Sequence, residues 1–354
     1  MQRFIKRNTA IFIVLFVANL LVSVVAFYIL PKKFFYDAAV IAFDKGNEIG
    51  FIGSYPLTIL FYKITGLRYL PFPVIALIQF PILMYGLYKI GIPKDFEKIN
   101  TTNVIVYLGF FMIAIFMSMP SKEFITFLFV SILVFLFLNE NNSFRKSVFT
   151  AFFLLAIFGI FYRPYFLLIP IITVGMYGAV LINFNNKTVA TIFYGLLVAV
   201  FLSLSYGIIQ GHYFSEVSRE VVNIGRIGTV DANSAIIPPI KPDTWYGEMM
   251  SIFYGFFTVN LPINGLKYIF SPQILVFVIW QLFLFYILLV HLSRCIKSSE
   301  NHKKELWALL ILFAFFIVQG IFEPDLGSAV RHKMGVFPLI YYALYYDHFR
   351  KRLQ

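Results

Sequence analysis

Charged side chains in this sequence stand in the polar breaks between long apolar runs, and their types suit one kind of chemistry. Asp37 follows the first apolar run, Arg163 occupies a later break, and Lys122 and Glu123 stand together in MPSKEF. Guanidinium groups bind phosphate through two parallel hydrogen bonds and can neutralise a diphosphate leaving group. A carboxylate or histidine beside them can deprotonate an incoming hydroxyl. These residue types predict group transfer from a phosphate-bearing substrate.

The elements that must position these residues are membrane helices. The chain has 354 residues, of which 60% are hydrophobic and 13% charged, with a mean hydropathy of +0.81. This composition excludes a water-soluble domain and predicts an all-α polytopic membrane protein. The first apolar run is too long for a cleaved signal peptide and is expected to remain as an anchor. We predict ten spans, at 9–30, 70–90, 103–119, 122–138, 147–162, 166–184, 188–209, 272–292, 305–322 and 335–347.

Basic residues predict the orientation, because positively charged loops stay in the cytoplasm. With both termini inside, most Lys and Arg residues fall on the cytoplasmic side. The apolar stretches 49–66 and 247–270 would invert this pattern if they crossed, so we predict that they are interfacial or re-entrant. The chain is then one transmembrane domain, 1–354, with outer loops at 31–69 (amphipathic helices) and 210–271 (a re-entrant segment). A bacterial inner membrane is the expected location.

The densest charged group lies in the segment EPDLGSAVRHKMG, on the predicted outer face. Glu323 opens this segment, and Arg331, His332 and Lys333 close it just before an apolar run. Positive charge is disfavoured at that position, so this basic step indicates a functional use. A phosphate-bearing lipid is the substrate that fits several arginines, a carboxylate and a histidine on the outer surface of a membrane bundle. The chemistry predicted is glycosyl transfer from a lipid-linked donor.

Each candidate also has a purely structural interpretation. Lys122 and Glu123 could form an ion pair at a helix start, where Glu123 complements the helix dipole. Arg163 could extend to lipid headgroups, and Asp37 could be a solvated acid at the start of a helix. The single cysteine, Cys295, cannot form an internal disulfide and lacks the paired spacing typical of a metal site, so no metal site and no cofactor are expected.

The first outer loop, FFYDAAVIAFDKGNEIGFIGSYPLTILFYKITG, resembles the start of membrane glycosyltransferases of the GT-C class. The whole chain also resembles the O-antigen and capsular polysaccharide repeat-unit polymerases of the Wzy type. The likeness rests on length, span number, composition, a large outer loop with arginines, the YRPY step at 162–165 and the RHKMGVFPLIYY ending at 331–342. It implies a GT-C-like architecture and polymerisation of polyprenyl-diphosphate-linked repeat units in lipopolysaccharide or capsule biosynthesis.

The resemblance also implies roles for individual residues. Asp37 matches the first-loop acid that serves as catalytic base in GT-C enzymes, and Tyr36 and Ala38 stand where a second acid is common, which argues against a metal-assisted mechanism. The arginines resemble those that polymerases use on diphosphate-linked glycan. The candidate catalytic residues are Asp37, Glu323 and His332. The candidate substrate-binding residues are Arg163, Tyr165, Arg219, Arg226, Arg331, Lys333, Lys122 and Glu123.

Three functions remain open at this stage. The first is the repeat-unit polymerase, whose partners would be polyprenyl-diphosphate-linked glycan, membrane lipids, a chain-length regulator and a flippase, with no nucleic acid. The second is a GT-C transferase that adds a single sugar from a polyprenyl-monophosphate donor. The third is a flippase for lipid-linked oligosaccharide, which would carry charges in the middle of its spans and internal repeats. The span interiors are nearly free of charge, which favours the two enzymes.

Overall fold

Helices make up nearly all of the regular structure in the computed structural model, which describes residues 6–43, 50, 52–225, 234–268, 272–298 and 302–353. These residues contain no β-strand, and a single isolated bridge joins Ala235 and Asp325. Seven of the helices are long and apolar enough to cross a membrane. The prediction of an all-α polytopic membrane protein is therefore confirmed.

The chain divides into two compact units, one formed by 1–164 with 331–354 and the other by 165–330. Each unit has its own set of packed helices. The prediction that residues 1–354 behave as one transmembrane domain stays a prediction, as do the membrane side of each loop and the location of the termini.

The first unit is built on α1, which packs on α4 and α5, while α4 packs on α6 and α6 on α7. Side-chain caps set several of these helix starts, because Asn100, Ser121 and Ser143 each accept a hydrogen bond from an amide of the first turn. The helices that contribute to this unit are α1 (Arg7–Ile29), α2 (Tyr36–Phe43), α3 (Ser54–Ile64), α4 (Phe72–Ile90), α5 (Thr101–Phe116), α6 (Lys122–Leu138), α7 (Phe144–Phe161), α14 (Leu326–Gly335), α15 (Phe337–Leu344) and α16 (Tyr346–Leu353).

The second unit is centred on α13, which is buried along almost its whole length and packs on α8, α9, α11 and α12. Two glycines let α11 and α13 approach closely, because a Cβ at Gly255 would overlap the carbonyl oxygen of Gly320. The helices of this unit are α8 (Leu168–Leu181), α9 (Lys187–Gln210), α10 (Val221–Ile224), α11 (Trp245–Asn260), α12 (Pro272–Lys297) and α13 (Lys303–Phe322).

Nine of the ten predicted apolar runs each overlap one continuous helix, and the tenth does not. In the predicted span 335–347 the helix covers only Phe337–Leu344 and is interrupted at Tyr345. Pro338 lacks an amide hydrogen, and Val336 lies outside helical geometry just before it. An eight-residue helix is only about 12 Å long, far short of the roughly 30 Å of a bilayer core.

The two segments predicted to be interfacial or re-entrant are both helical in part. The stretch 49–66 contains α3, which has 11 residues, and the stretch 247–270 contains most of α11, which has 16 residues, followed by a 3-10 turn at Ile263–Tyr268. Neither helix is among the seven candidate spans. Their placement at the membrane surface stays a prediction.

Candidate functional site

Four separate parts of the first unit bring charged side chains together. The first turn of α2 supplies an acid, the start of α6 supplies a lysine and a glutamate, the chain just after α7 supplies an arginine, and α14 supplies an arginine and a histidine. We call this group the charged cluster; its members are Asp37, Lys122, Glu123, Arg163, Arg331 and His332. The orientation predicted from the basic residues places all four parts on the outer side of the membrane.

Asp37 receives a contact on each of its carboxylate oxygens. Its Oδ1 accepts a hydrogen bond from the hydroxyl of Tyr55 at 2.9 Å. Its Oδ2 lies 3.0 Å from Nη1 of Arg331 and 3.6 Å from Nζ of Lys122. Two cations therefore converge on the same carboxylate oxygen, and nearby positive charge favours the ionised carboxylate.

Tyr55 links two members of the charged cluster. While its hydroxyl donates to Asp37, the ring lies 3.8 Å from the ammonium of Lys122, measured to the ring centroid. This is a cation–π contact at close range. The side chain of Lys122 is thus fixed between an aromatic face and a carboxylate.

Glu123 forms the second ion-paired group of the cluster. Its Oε1 accepts a hydrogen bond from Nη2 of Arg163 at 2.7 Å and lies 3.2 Å from Nε2 of His332. Glu123 is fully buried and Arg163 is 3% exposed. A buried carboxylate needs such partners, because an unpaired charge away from water is costly.

Hydrogen bonds to neutral side chains fix the helix ends that carry the cluster. The hydroxyl of Tyr162 donates to the carbonyl oxygen of Lys122 at 3.0 Å and lies 2.7 Å from Oγ1 of Thr58. The hydroxyl of Tyr62 accepts hydrogen bonds from the amide of Ser121 at 3.1 Å and from Nε2 of Gln79. These contacts tie α3, α4, α6 and the end of α7 together around Lys122 and Glu123.

A close helix contact places α14 against α6. A Cβ at Gly335 would lie 3.3 Å from Cβ of Thr126, which is tighter than most side-chain contacts. Because α14 carries Arg331 and His332 on its previous turn, the small residue at this point lets both side chains reach α6 and α2.

The cluster carries more positive than negative charge. Three of its side chains, Lys122, Arg163 and Arg331, are cations and two are carboxylates, so its formal charge is +1 with a neutral histidine. The side chain of Arg331 is 23% exposed and that of Lys122 is 12% exposed. The cations that contact Asp37 are therefore more accessible than the buried Arg163.

The surroundings of Asp37 and Tyr55 shift the pKa of each side chain. Burial would raise the pKa of Asp37, but Arg331 and Lys122 outweigh it and hold the pKa of that carboxyl below its usual value. Burial and the neighbouring Asp37 raise the pKa of Tyr55, so its hydroxyl stays protonated and donates. Asp37 is accordingly an ionised carboxylate at neutral pH, available as a proton acceptor.

Several predicted site residues lie in the second unit, with partners of their own. Arg219 is 1% exposed, and its guanidinium donates to the carbonyl oxygens of Gly320 at 2.8 Å and Ser251 at 2.9 Å. It also bonds the hydroxyl of Ser251. Burial lowers the pKa of Arg219 to about 10, which leaves it charged at neutral pH. These contacts join the 216–220 turn to α11 and α13.

The remaining predicted residues occupy varied environments. Glu323 accepts a hydrogen bond from Nε2 of Gln319 at 3.1 Å, and Tyr165 stacks on Phe322 with ring centroids 5.5 Å apart, both in the second unit. Lys333, in the first unit, is fully buried. Arg226 lies outside the described residues. The substrate-binding and catalytic roles predicted for these four residues stay predictions.

Two features of the structure were missed by sequence reasoning. Tyr55 falls in the stretch predicted to be interfacial or re-entrant, and its position there gives no sign of the hydrogen bond to Asp37. Cys295 lacks the paired spacing typical of a metal site, yet it lies in a group with His302 and Glu305, and the ligand-type atoms of the three residues all fall within 4.8 Å of one another. The signal for that group was the recurrence of His, Cys and Glu at helical spacing on both sides of a short polar break.

Comparison of the chain with protein-family models, curated proteins and solved structures finds no significant match.

Proposed function

We propose that this protein is a membrane glycosyltransferase that polymerises polyprenyl-diphosphate-linked oligosaccharide repeat units on the outer face of a bacterial inner membrane. The observation that carries the proposal is the convergence of Arg331 and Lys122 on one oxygen of Asp37. A carboxylate beside accessible cations is what transfer from a phosphate-linked donor requires, because the cations bind the leaving group and the carboxylate accepts a proton.

Arg331 and Lys122 are the phosphate-binding residues in this proposal. Both are partly exposed, and guanidinium and ammonium groups exchange readily between a carboxylate and a phosphate oxygen. The charged cluster has an excess of positive charge, so it can accept an anion without expelling either of its carboxylates. The cations would neutralise the diphosphate as negative charge develops on it.

Asp37 is the proposed base. The hydroxyl oxygen of the acceptor sugar bonds to the anomeric carbon of the donor, and its proton passes to Asp37. The bond between the anomeric carbon and the phosphate oxygen breaks, and the polyprenyl diphosphate leaves with the electron pair. Donor binding would also make Asp37 a stronger base, because a phosphate that draws Arg331 and Lys122 towards itself weakens the contacts that hold the pKa of Asp37 low.

Glu123, Arg163 and His332 have a positioning part in this mechanism. The pair formed by Glu123 and Arg163 is buried, so in this proposal it fixes the start of α6 and the end of α7 and does not contact the lipid-linked substrate. Glu123 also holds the imidazole of His332 next to Arg331 on α14. The pair of Glu123 and Arg163 thereby fixes the positions of Lys122 and Arg331.

Deletion of the gene tests the function. We expect the surface polysaccharide to lose its ladder on gels, while mass analysis of the lipid-linked or lipid A-linked glycan finds a single complete repeat unit. A ladder of normal length and normal repeat composition would contradict glycosyl transfer altogether. Loss of all repeat units from the outer face would instead indicate a flippase.

A transferase that adds a single sugar from a polyprenyl-monophosphate donor is the second candidate. The formal charge of +1 in the charged cluster favours it, since this excess matches one phosphate group more closely than two. The same deletion separates the candidates, because this enzyme would leave a ladder of normal length whose repeat unit has lost one sugar.

A further inference from the structure

A second group of chemically active side chains lies in the second unit, where α12 ends and α13 begins. His291 and Cys295 are four residues apart on α12, and His302 and Glu305 are three residues apart at the start of α13. Residues with these spacings lie on one face of a helix, and α12 and α13 pack against each other. Each helix therefore presents two ligand-type side chains from one face.

The distances within this group are short. Nδ1 of His302 lies 2.9 Å from Oε2 of Glu305, and Nδ1 of His291 lies 3.8 Å from Oε1 of the same carboxylate. Ligand-type atoms of Cys295, His302 and Glu305 all lie within 4.8 Å of one another. In a tetrahedral site with metal–ligand bonds of about 2.0 to 2.3 Å, ligand atoms stand roughly 3.3 to 3.8 Å apart. Cys295, His302 and Glu305 are therefore near that geometry, and His291 stands beside them through its contact with Glu305.

We propose that His291, Cys295, His302 and Glu305 form a binding site for a divalent transition metal ion, of which zinc is the best fit. The ligand set contains one sulfur, two imidazoles and one carboxylate, which are the ligand types that tetrahedral zinc takes in proteins. Calcium and magnesium would require oxygen ligands throughout, and this group offers one oxygen-bearing side chain. Four protein ligands make a closed site, typical of a structural rather than a catalytic metal.

The burial of two of the four side chains supports a metal-binding site at this position. Cys295 and Glu305 are fully buried, so their contacts are protected from water. The side chains of His291 and His302 are 19% and 18% exposed, which leaves an entry path for an ion from the end of the helix pair. This end of α12 is predicted to face the cytoplasm, where the thiol stays reduced.

Arg294 already contacts Glu305, so a metal ion bound by Glu305 must share that carboxylate with the guanidinium. Its guanidinium bonds Oε1 of Glu305, and it stands directly before Cys295 on α12. A carboxylate has two oxygens, so Oε2 can bind the metal while Arg294 continues to bond Oε1 and orient the carboxylate. The contrasting interpretation is an ion-paired group of Arg294, Glu305 and His302 that closes the helix pair without any metal.

Cobalt(II) binding separates these interpretations, because this chain has a single cysteine. The full-length protein is purified in detergent with an affinity tag free of histidine, then titrated with cobalt(II). We expect one equivalent to bind, with the ultraviolet charge-transfer band of a cobalt–thiolate bond and the visible bands of a tetrahedral ion. That charge-transfer band can arise only from Cys295. Zinc added afterwards should displace the cobalt and abolish the bands.

Variants complete the test. Cys295→Ser keeps the size of the side chain, and we expect it to abolish the charge-transfer band and to weaken zinc binding by more than about 100-fold. The matched control is His212→Asn, since His212 pairs with Glu216 at the surface and the substitution should leave zinc binding unchanged. Absence of the charge-transfer band in the wild-type protein, or equal zinc affinity in wild type and Cys295→Ser, would overturn the proposal. Neither outcome bears on the charged cluster, which shares no residue with this site.

Discussion

Buried arginines occur in both units, but with different kinds of partner. Arg163 in the first unit pairs with the carboxylate of Glu123, and a neighbouring carboxylate, Asp37, contacts two further cations. Arg219 in the second unit donates instead to two backbone carbonyls and a serine hydroxyl. The first arrangement places titratable and accessible groups together, whereas the second uses the charge to connect a turn with two helices.

The difference teaches that a buried arginine alone does not indicate a ligand site. Two backbone carbonyls and a serine hydroxyl accept hydrogen bonds from the guanidinium of Arg219, and none of these acceptors carries a charge. Carboxylates pair with a guanidinium through opposite charge. A further cation that contacts a carboxylate can then change partner and bind an incoming anion. The charged cluster has such additional cations in Arg331 and Lys122, so the proposed phosphate site lies in the first unit.

The largest expected effect follows removal of the buried arginine of the first unit. Arg163→Ala leaves Glu123 buried with its main partner gone, and we expect a loss of about 3 to 5 kcal/mol in the free energy of unfolding. The measurement is the amount of protein in the membrane, together with thermal unfolding in detergent.

A double variant shows whether the unpaired charge is the cause. Arg163→Met combined with Glu123→Gln removes both charges, and most of the lost stability should return. If the double variant is as unstable as Arg163→Ala, the buried pair is not what holds α6 and the end of α7 together.

Removing an accessible cation should affect activity rather than stability. Arg331→Gln keeps a polar side chain on α14, and we expect the rate of glycan extension to fall by about 10² to 10³-fold, the usual cost of losing one preorganised group that stabilises a leaving group. The rate is measured on membranes adjusted to equal amounts of protein. Lys98→Gln is the control, because Lys98 forms an exposed surface pair with Asp95. A rate within twofold of wild type would remove Arg331 from the site.

The arginine of the second unit should behave in the opposite way. Arg219→Ala removes the guanidinium that donates to the carbonyls of Gly320 and Ser251, and we expect a destabilisation of about 2 kcal/mol. The rate per folded molecule should stay close to that of wild type. Should Arg219→Ala instead lower the rate at normal stability, the comparison between the two units fails and Arg219 belongs to the substrate site.

The smallest expected effect is a change in pH dependence. The Tyr55 hydroxyl donates to Asp37 and helps to keep its pKa below the usual value. A base must be ionised, so the wild-type kcat/KM, which reports the enzyme before donor binding, should fall only at acidic pH, below that usual value. Tyr55→Phe removes the hydrogen bond, raises the pKa of Asp37, and should move the acidic fall in rate to higher pH. An unchanged pH–rate profile would indicate that Asp37 is not the titrating base.

The sequence predicted most of the helices, because long apolar runs bounded by polar breaks leave few alternatives in a membrane. It also identified all six members of the charged cluster. A charged side chain at the end of an apolar helix is costly to keep near lipid, so such a residue is a candidate for a functional site. The break in 335–347 was not foreseen, although Pro338 is a signal for one.

Pairing within the cluster could not be predicted. That Arg331 contacts Asp37 while Arg163 contacts Glu123 depends on how α14, α2 and α6 pack, across nearly 300 residues of sequence. The neutral framework around Tyr62 and Tyr162 was missed for a similar reason, because one tyrosine among 22 carries no sign of its hydrogen-bond partners. Side-chain neighbours across distant segments are set by tertiary packing, which periodicity does not encode.

The central claim is that Asp37 is the base of a glycosyl transfer, and reconstitution tests it most directly. Wild-type protein and Asp37→Asn are placed in separate proteoliposomes and supplied with polyprenyl-diphosphate-linked repeat units isolated from the deletion strain. We predict that wild-type protein converts them to longer lipid-linked glycans and that Asp37→Asn, equally folded, is slower by about 10² to 10⁴-fold. Extension by Asp37→Asn at the wild-type rate would contradict this account.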